Sequence, residues 1–184
     1  MTCTTTLIER AGAEALLDVA YAPVDTPLGP LIAAATARGL VRLAYERDNG
    51  GRDAILDGLA ARLSPRILEA PERLDASRRE LDEYFTGART RFDLPLDWAL
   101  VAPFGRRILD ATAAIPFGGT RTYAEVATIA GNPRAHRAAG NALGANPIPI
   151  VVPCHRVVRT GGGLGGYAGG LDRKEELLRL EGVL

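Results

Sequence analysis

The amino-terminal part of the chain alternates short apolar runs with turn residues. The apolar runs cover residues 16–22, 31–35 and 40–45, and the segments between them include Pro27-Leu28-Gly29-Pro30 and Arg38-Gly39. Proline and glycine at such positions favour turns between strands. The pattern therefore predicts an antiparallel sheet.

The periodicity then becomes helical. Apolar residues recur three or four positions apart over 53–63 and again over 74–85, which predicts two helices. The next run, Arg91-Phe92-Asp93-Leu94-Pro95-Leu96, contains a proline that favours an extended backbone. We expect this run to link two domains, residues 1–97 and residues 98–184.

The carboxyl-terminal half has three further helical patterns, over 103–114, 123–130 and 134–143. The last two are separated only by Gly131-Asn132-Pro133, so they have the proportions of a helix-turn-helix. Residues 146–153 contain three prolines, which exclude a helix and predict a rigid extended segment. A glycine-rich loop over 161–170 leads to a final helix over 172–180.

The composition is that of a globular protein. The 184 residues are 47% apolar and 24% charged, which suits one or two small domains with a packed core. No apolar run reaches the roughly 18 residues of a membrane span, and the amino terminus lacks the pattern of a secretion signal. We expect a cytoplasmic protein without a membrane partner, whose cysteines stay reduced.

Charge is unevenly distributed, although the formal net charge is zero. Residues 1–99 carry 12 arginines and 16 acidic residues, whereas residues 100–184 carry 10 basic and 6 acidic residues. A basic half suits a nucleic-acid partner, because affinity for the phosphate backbone depends on positive charge. A solvated surface with no partner explains the charge alone equally well.

Cys154 is the candidate nucleophile. It follows Val151 and Val152, and a lone cysteine in such a run is more often a buried core residue. His155 and Arg156 come directly after it, and a neighbouring cation would favour the thiolate. Adjacent side chains on a strand face opposite sides, so Cys154 and His155 serve one site only if the chain bends or a water bridges them.

The chain offers few ligands for a transition metal. Its thiols and imidazoles are Cys3, Cys154, His136 and His155, and their spacing matches no zinc pattern. We therefore expect no metal site and no cofactor.

Several residues stand at fixed offsets from Cys154. They are Tyr123, Ala130-Gly131-Asn132-Pro133, Arg137, Asn146-Pro147-x-Pro149, Pro153-Cys154-His155-Arg156-Val157-Val158, Gly165-x-Tyr167-x-Gly169-Gly170-Leu171 and Glu181-Gly182. In these positions the chain resembles the O6-alkylguanine-DNA alkyltransferases, also called methylated-DNA–protein-cysteine methyltransferases. The amino-terminal half resembles the family more loosely. His136 departs from the pattern, which usually has a small residue there.

The resemblance implies an α+β fold, in which a small sheet-and-helix domain supports a winged-helix-like domain with a helix-turn-helix. It implies DNA repair by stoichiometric, irreversible transfer of a methyl or other alkyl group from O6-alkylguanine to Cys154, after the nucleotide is flipped out of the duplex. O4-alkylthymine stays open as a further substrate. The implied partner is double-stranded DNA containing alkylated bases, bound through its minor groove by a monomer.

The same resemblance implies roles for individual residues. Cys154 attacks the alkyl carbon, His155 takes its proton through a water, and Glu181 holds His155. Tyr123 rotates the phosphate and donates a proton to the guanine, while Asn146 braces the reactive segment. The base would be bound by Leu143, Pro149, Val157, Tyr167, Ala168 and Gly169. The DNA would be bound by Arg137, which fills the gap in the base stack, together with Tyr123, Arg134, Ala135 and His136.

Three other functions stay open at this point. A lesion sensor would bind alkylated DNA without transfer, and the presence of Cys154 argues against it. A cysteine hydrolase would use Cys154 and His155 with repeated turnover. A winged-helix regulator would bind undamaged DNA and leave Cys154 unmodified.

Overall fold

The computed structural model describes residues 17–184, which divide into two compact units. The first unit contains residues 17–82 and Asp93–Leu100, and the second contains Glu83–Phe92 and Val101–Leu184. Cys3 and the first residue of the predicted run 16–22 lie outside the described residues.

A four-stranded sheet forms the centre of the first unit. Strands β1 (Val19–Val24), β2 (Leu31–Thr36) and β3 (Gly39–Tyr45) pair in an antiparallel manner, which confirms the predicted sheet. A short strand β4 (Ile67–Glu69) pairs in parallel with β1 and gives the order β3-β2-β1-β4. The sequence pattern missed β4, because three residues are too few to show an alternation.

Two helices follow β3 in sequence, one before and one after β4. Helix α1 (Gly51–Arg62) packs Ile55 and Leu59 into the core of the sheet beside Val19, Ile32 and Val41. Helix α2 (Asp75–Phe85) begins in the first unit and ends in the second. These helices confirm the predictions over 53–63 and 74–85, with small differences at their ends.

The segment predicted to be extended at 91–96 joins the edge of β3. Leu40 donates its N–H to the Pro95 carbonyl at 2.9 Å, and Asp97 donates to the Leu40 carbonyl at 2.9 Å. Gly39 has a φ of +132°, and a Cβ there would lie 2.1 Å from the Pro95 oxygen. Only glycine permits this close approach of two backbones.

The second unit is mainly helical. It contains α3 (Pro103–Ala113), α4 (Tyr123–Ile129), α5 (His136–Gly144) and α6 (Leu171–Leu180), together with a two-stranded parallel sheet of β5 (Arg121–Thr122) and β6 (Val157–Val158). The buried Ile108 and Leu109 of α3 belong to its core. The predicted α+β class, with a sheet-and-helix part followed by a helical part, is confirmed.

Two local predictions in this unit were wrong. Helix α5 begins at His136 rather than at residue 134, because residues 132–135 form a separate turn in which Ala135 donates to the Asn132 carbonyl at 3.0 Å. Residues 146–153 form compact turns rather than an extended segment: Val152 donates to the Ile148 carbonyl at 2.9 Å, and Ile150 has a φ of +73°. Complete burial of Ile148, Ile150 and Val152 favours this compact form.

No helix within residues 17–184 combines the length and apolar character that crossing a bilayer requires.

Candidate active site

The reactive segment bends at Cys154. Residues Cys154–Arg156 form one 3₁₀ turn, in which Arg156 donates its N–H to the Pro153 carbonyl at 2.9 Å and Val157 donates to the Cys154 carbonyl. Cys154 is 5% exposed and His155 is completely buried. The turn is the bend that the sequence required for Cys154 and His155 to serve one site.

The Asn146 amide connects the thiol to the preceding turns. Its Nδ2 donates to Cys154 Sγ at 3.2 Å and to the Val152 carbonyl at 2.8 Å. Its Oδ1 accepts the N–H of Ile148 at 3.0 Å. Three of the four hydrogen bonds that one amide side chain can make are thus used to fix residues 146–154 around the sulfur.

The thiol of Cys154 is protonated at rest. Burial raises its pKa above the ordinary value, and the hydrogen bond from Asn146 and the charge of Lys174 oppose this only in part. The expectation that Arg156 favours a thiolate was wrong, because its guanidinium donates to Glu181 at 2.9 Å and to the Ile115 carbonyl at 2.6 Å. The sulfur therefore needs a separate base.

His155 and Glu181 form a buried pair, with His155 Nε2 lying 2.9 Å from Glu181 Oε1. Burial opposes ionisation of Glu181, but hydrogen bonds from His155 and Arg156 lower its pKa to about 2, so it is a carboxylate. Burial lowers the pKa of His155, so the ring is neutral. A neutral imidazole that faces a carboxylate through Nε2 carries its proton there.

The other ring nitrogen of His155 is consequently the basic one. Nδ1 is buried and has no hydrogen-bond partner among residues 17–184. An unpaired buried acceptor is costly, and such groups are concentrated where chemistry needs them. The ring also packs edge-on against Tyr167, with the two centroids 6.4 Å apart.

Glu181 has a further partner that sequence reasoning missed. The hydroxyl of Tyr84, at the end of α2, donates to Glu181 Oε1 at 2.7 Å. Tyr84 is completely buried and contacts the rings of Phe92 and Phe117. The two residues are 97 positions apart, so no local pattern in the sequence indicates this contact. The apolar face of the predicted helix was a sufficient reason for an aromatic residue at position 84.

Lys174 of α6 was also missed. Its ammonium group is completely buried and donates to the carbonyls of Val157 at 2.6 Å, of Leu164, and of Gly166 at 3.4 Å. Burial lowers its pKa to about 8. It fastens the glycine-rich loop to β6. One feature of the sequence could have drawn attention to this residue: Lys174 is the single lysine among 22 basic residues.

A cavity of about 250 Å³ opens beside the thiol, and we call it the Cys154 pocket. It is lined by Tyr123, Gly140, Leu143, Gly144, Cys154, Gly166, Tyr167 and Ala168. Three of the predicted base-binding residues, Leu143, Tyr167 and Ala168, are part of this lining. The other three, Pro149, Val157 and Gly169, are buried and lie outside it.

Tyr123 borders the pocket at the start of α4. Its hydroxyl lies 3.4 Å from the Gly166 carbonyl, and a Cβ on Gly165 would lie 2.7 Å from the hydroxyl oxygen. A capping box fixes the helix start: Thr122 Oγ1 accepts the Glu125 N–H at 3.2 Å, and the Glu125 carboxylate accepts the Thr122 N–H at 2.7 Å. The ring is therefore held by a rigid helix end.

A wider cleft of about 450 Å³ adjoins the pocket, and we call it the Arg137 cleft. Its lining consists of Tyr123, Ala124, His136, Arg137, Gly140, Arg159 and Thr160. Tyr123 and Gly140 belong to both cavities. Of the other predicted DNA-binding residues, Arg134 is exposed in the turn before α5 and Ala135 is the N-cap of that helix. Arg159 and Thr160 were not predicted.

Among residues 17–184, no cluster of three or more histidine, cysteine or acidic side chains is arranged to hold a metal ion.

Family models match both halves of the chain. Residues 19–98 match the model described as 6-O-methylguanine DNA methyltransferase, ribonuclease-like domain, and residues 103–183 match the one described as 6-O-methylguanine DNA methyltransferase, DNA binding domain. The chain belongs to the 6-O-methylguanine DNA methyltransferase family.

Relatives in this methyltransferase family match over most of their length. The methylated-DNA–protein-cysteine methyltransferase of Methanosarcina acetivorans is 40% identical over 88% of this chain and 97% of the relative. The enzyme of the same name from Mycolicibacterium paratuberculosis is 40% identical over 89% of this chain and 92% of the relative.

Solved structures in the methyltransferase family agree with the fold. The O6-methylguanine methyltransferase of Mycobacterium tuberculosis is 38% identical, with a TM-score of 0.75 over 89% of this chain and 92% of that structure. A crystal structure of the M. tuberculosis protein in complex with DNA has the same TM-score of 0.75 over 88% of this chain.

Proposed function

We propose that this member of the methyltransferase family repairs DNA by transferring an alkyl group, typically methyl, from O6 of guanine to Cys154. The observation that carries the proposal is a buried thiol in the wall of a pocket, next in sequence to a histidine whose Nε2 is held by a carboxylate and whose Nδ1 is unpaired. The names of the relatives support the substrate class, and the M. tuberculosis complex supports DNA as the partner.

The chemistry follows from the protonation states. The Cys154 thiol gives its proton towards His155 Nδ1 through a water, and the sulfur attacks the alkyl carbon. The carbon–sulfur bond forms as the carbon–O6 bond breaks, and the released electron pair passes to the guanine, which takes a proton from the Tyr123 hydroxyl. The net result is guanine and a thioether on Cys154. A thioether carries no good leaving group, so the alkyl group stays on Cys154 and one molecule repairs one lesion.

The pocket also explains why the damaged nucleotide must leave the duplex. Cys154 is only 5% exposed at the wall of the pocket, and a stacked base would not reach it. In this proposal the extruded base contacts Leu143, Tyr167 and Ala168 of the pocket lining. Pro149, Val157 and Gly169, which are outside that lining, stay predicted contacts of the base. Glu181 keeps His155 in the required tautomer, and Asn146 orients the sulfur.

DNA is bound in the Arg137 cleft. Arg137 enters the minor groove and fills the gap in the base stack, with Tyr123, Arg134, Ala135 and His136 alongside. The exposed cations at the start of α5 and the border shared with the pocket support this placement. We assign DNA binding and transfer to residues 98–184 and a supporting role to residues 1–97, in a cytoplasmic monomer.

The stoichiometry of repair tests this function. The protein is incubated with an excess of duplex containing O6-methylguanine, and repaired guanines are counted per molecule of protein. We expect a plateau at one for the wild type, and no repair but continued lesion binding for Cys154→Ala. Repeated turnover would instead identify a cysteine hydrolase, and binding without any repair by the wild type would identify a lesion sensor.

A further inference from the structure

The Arg137 cleft contains a second arginine to which the proposed function gives no role. Arg159 directly follows β6 and lines the cleft with Arg137, which comes from α5. Both side chains are exposed. Within residues 17–184 the Arg159 guanidinium has neither a hydrogen bond nor an ion pair, and no acidic residue is part of the cleft lining. Its five donors are thus available to a ligand.

The backbone at Arg159 is fixed by a tight loop. Arg159 donates its N–H to the Gly163 carbonyl at 2.7 Å, and its own carbonyl accepts the Gly162 N–H at 3.2 Å. Gly161 and Gly162 have φ values of +92° and +89°, which side-chain-bearing residues rarely adopt. The guanidinium therefore extends from an ordered base, which reduces the entropy lost when it binds a ligand.

Other cations add positive charge to that of Arg159. Lys174 lies buried beneath the loop, and the charge of Arg159 adds to burial, the larger cause, in lowering the pKa of Lys174. Arg134 and Arg137 are exposed at the start of α5. Of the arginines, Arg137 and Arg159 line the cleft, and no acidic residue is part of that lining. Such a cleft favours an anionic ligand, and a guanidinium matches the geometry of a phosphate.

The position of the cleft indicates which phosphate of the DNA Arg159 would bind. The Cys154 pocket and the Arg137 cleft share Tyr123 and Gly140. A nucleotide whose base occupies the pocket leaves its sugar and phosphate in the adjoining cleft, where Arg159 lies. We propose that Arg159 binds a backbone phosphate flanking the damaged nucleotide and so holds the extruded conformation. This inference rests on the proposed function.

Single-turnover repair of an O6-methylguanine duplex, compared with methyl transfer from the free base O6-methylguanine, tests the role of Arg159. The free base has no phosphate, so the ratio of the two rates isolates the phosphate contact. We expect Arg159→Ala to lower this ratio about tenfold or more, as the loss of a charge-assisted contact implies. It should also reduce the slope of log affinity against log salt by about one. Arg159→Lys should recover part of the ratio, since a point charge remains.

Arg179→Ala is the matched control, because Arg179 is an exposed arginine of the same unit that pairs with Glu175 on α6. It should leave both the ratio and the salt slope unchanged. A duplex with neutral methylphosphonates flanking the lesion should slow the wild type by a larger factor than Arg159→Ala, because only the wild type loses the contact of Arg159 as well as that of Tyr123.

The inference is overturned if Arg159→Ala leaves the ratio of the two rates at its wild-type value, whether both rates are unchanged or both fall equally. It is also overturned if the methylphosphonates slow the wild type and Arg159→Ala by the same factor. Failure of the wild type to demethylate either substrate would instead overturn the proposed function itself.

Discussion

Cys154 accepts a hydrogen bond from Asn146 at 3.2 Å and lies in the wall of its pocket with 5% of its surface exposed. Burial holds the pKa of this thiol above the ordinary value, so the uncharged form dominates near neutral pH. His155, whose Nδ1 is unpaired, is the proposed base and follows Cys154 in sequence. In the proposed mechanism the sulfur becomes nucleophilic only when a bound substrate and this base act together, which would protect the thiol from unrelated electrophiles.

The raised pKa can be measured through the reactivity of the thiol. Because the thiolate is the reacting form, the rate of alkylation by iodoacetamide should increase with pH and reach its midpoint above that of free cysteine. Mass spectrometry of Cys154 over a pH series gives this midpoint, and free cysteine in the same buffers is the reference. Poor access lowers every rate without moving the midpoint. A midpoint at or below that of free cysteine would contradict the protonated resting state.

At the scale of elements, the end of α6 is held by a buried carboxylate. Glu181 accepts hydrogen bonds from His155, Arg156 and Tyr84, which come from two other segments of the second unit. These bonds lower the pKa of Glu181 to about 2, below its ordinary value of 4.5. The stability that the carboxylate provides is therefore present above about pH 4.5 and is lost as the pH falls towards 2.

Glu181→Gln should lower the free energy of unfolding by about 3–5 kcal/mol near neutral pH, because Arg156 stays buried without its carboxylate. Chemical denaturation measures this loss, and the variant should also be less sensitive to acid than the wild type between pH 4.5 and pH 2. Glu175→Gln is the control, since it breaks an exposed pair with Arg179 and should cost less than about 1 kcal/mol. Equal losses for the two variants would remove Glu181 from this structural role.

The glycine-rich loop depends on the buried ammonium group of Lys174. Lys174→Met should leave the carbonyls of Val157, Leu164 and Gly166 without their shared donor, at a cost of about 1–3 kcal/mol. Because the loop carries Tyr167 and Ala168, methyl transfer from both duplex and free base should slow together. Hydrogen exchange should accelerate over residues 161–170 and stay unchanged in α3. Unchanged hydrogen exchange over residues 161–170 in Lys174→Met would show that Lys174 does not hold the loop.

Element patterns in the sequence were the most informative. The strands β1 to β3 and the helices followed from apolar spacing and from turn residues, and the capping box at Thr122 and Glu125 supports the start of α4. The compact turns at 146–153 did not follow, because proline excludes a helix without specifying what replaces it. Burial of three apolar side chains in that segment is a tertiary effect, which local sequence does not contain.

At the scale of the whole molecule, the features that the sequence could not predict are those that depend on contacts between residues far apart in the chain. The motif around Cys154 predicted the family, which the family models and relatives confirm, and the role of Cys154 as the acceptor stays a prediction. The protonation state of Cys154 was predicted wrongly, because burial raises the pKa of the thiol and the guanidinium of Arg156 is paired with Glu181, 25 positions away. Tyr84 and Lys174 were missed, since their roles arise from packing that brings remote segments together.

The proposal assigns DNA binding to the Arg137 cleft, and a substitution of Arg137 tests this assignment. Arg137→Ala should slow repair of duplex DNA by about tenfold or more, since a group that fills the gap in the base stack offsets the cost of extrusion. Methyl transfer from the free base should slow much less, because no duplex is opened. Parallel single-turnover assays on the two substrates measure the difference. Equal slowing of both would remove Arg137 from that role.

The central claim is that Cys154 itself becomes the permanent acceptor of the alkyl group. Intact-mass spectrometry of the wild-type protein after incubation with an O6-methylguanine duplex, followed by peptide mapping, tests it most directly. We predict a gain of one methyl group per molecule, located on Cys154, which persists after the DNA is removed and is absent in Cys154→Ala. An unchanged protein mass after complete repair of the duplex, or a methyl group on any other residue, would contradict the account.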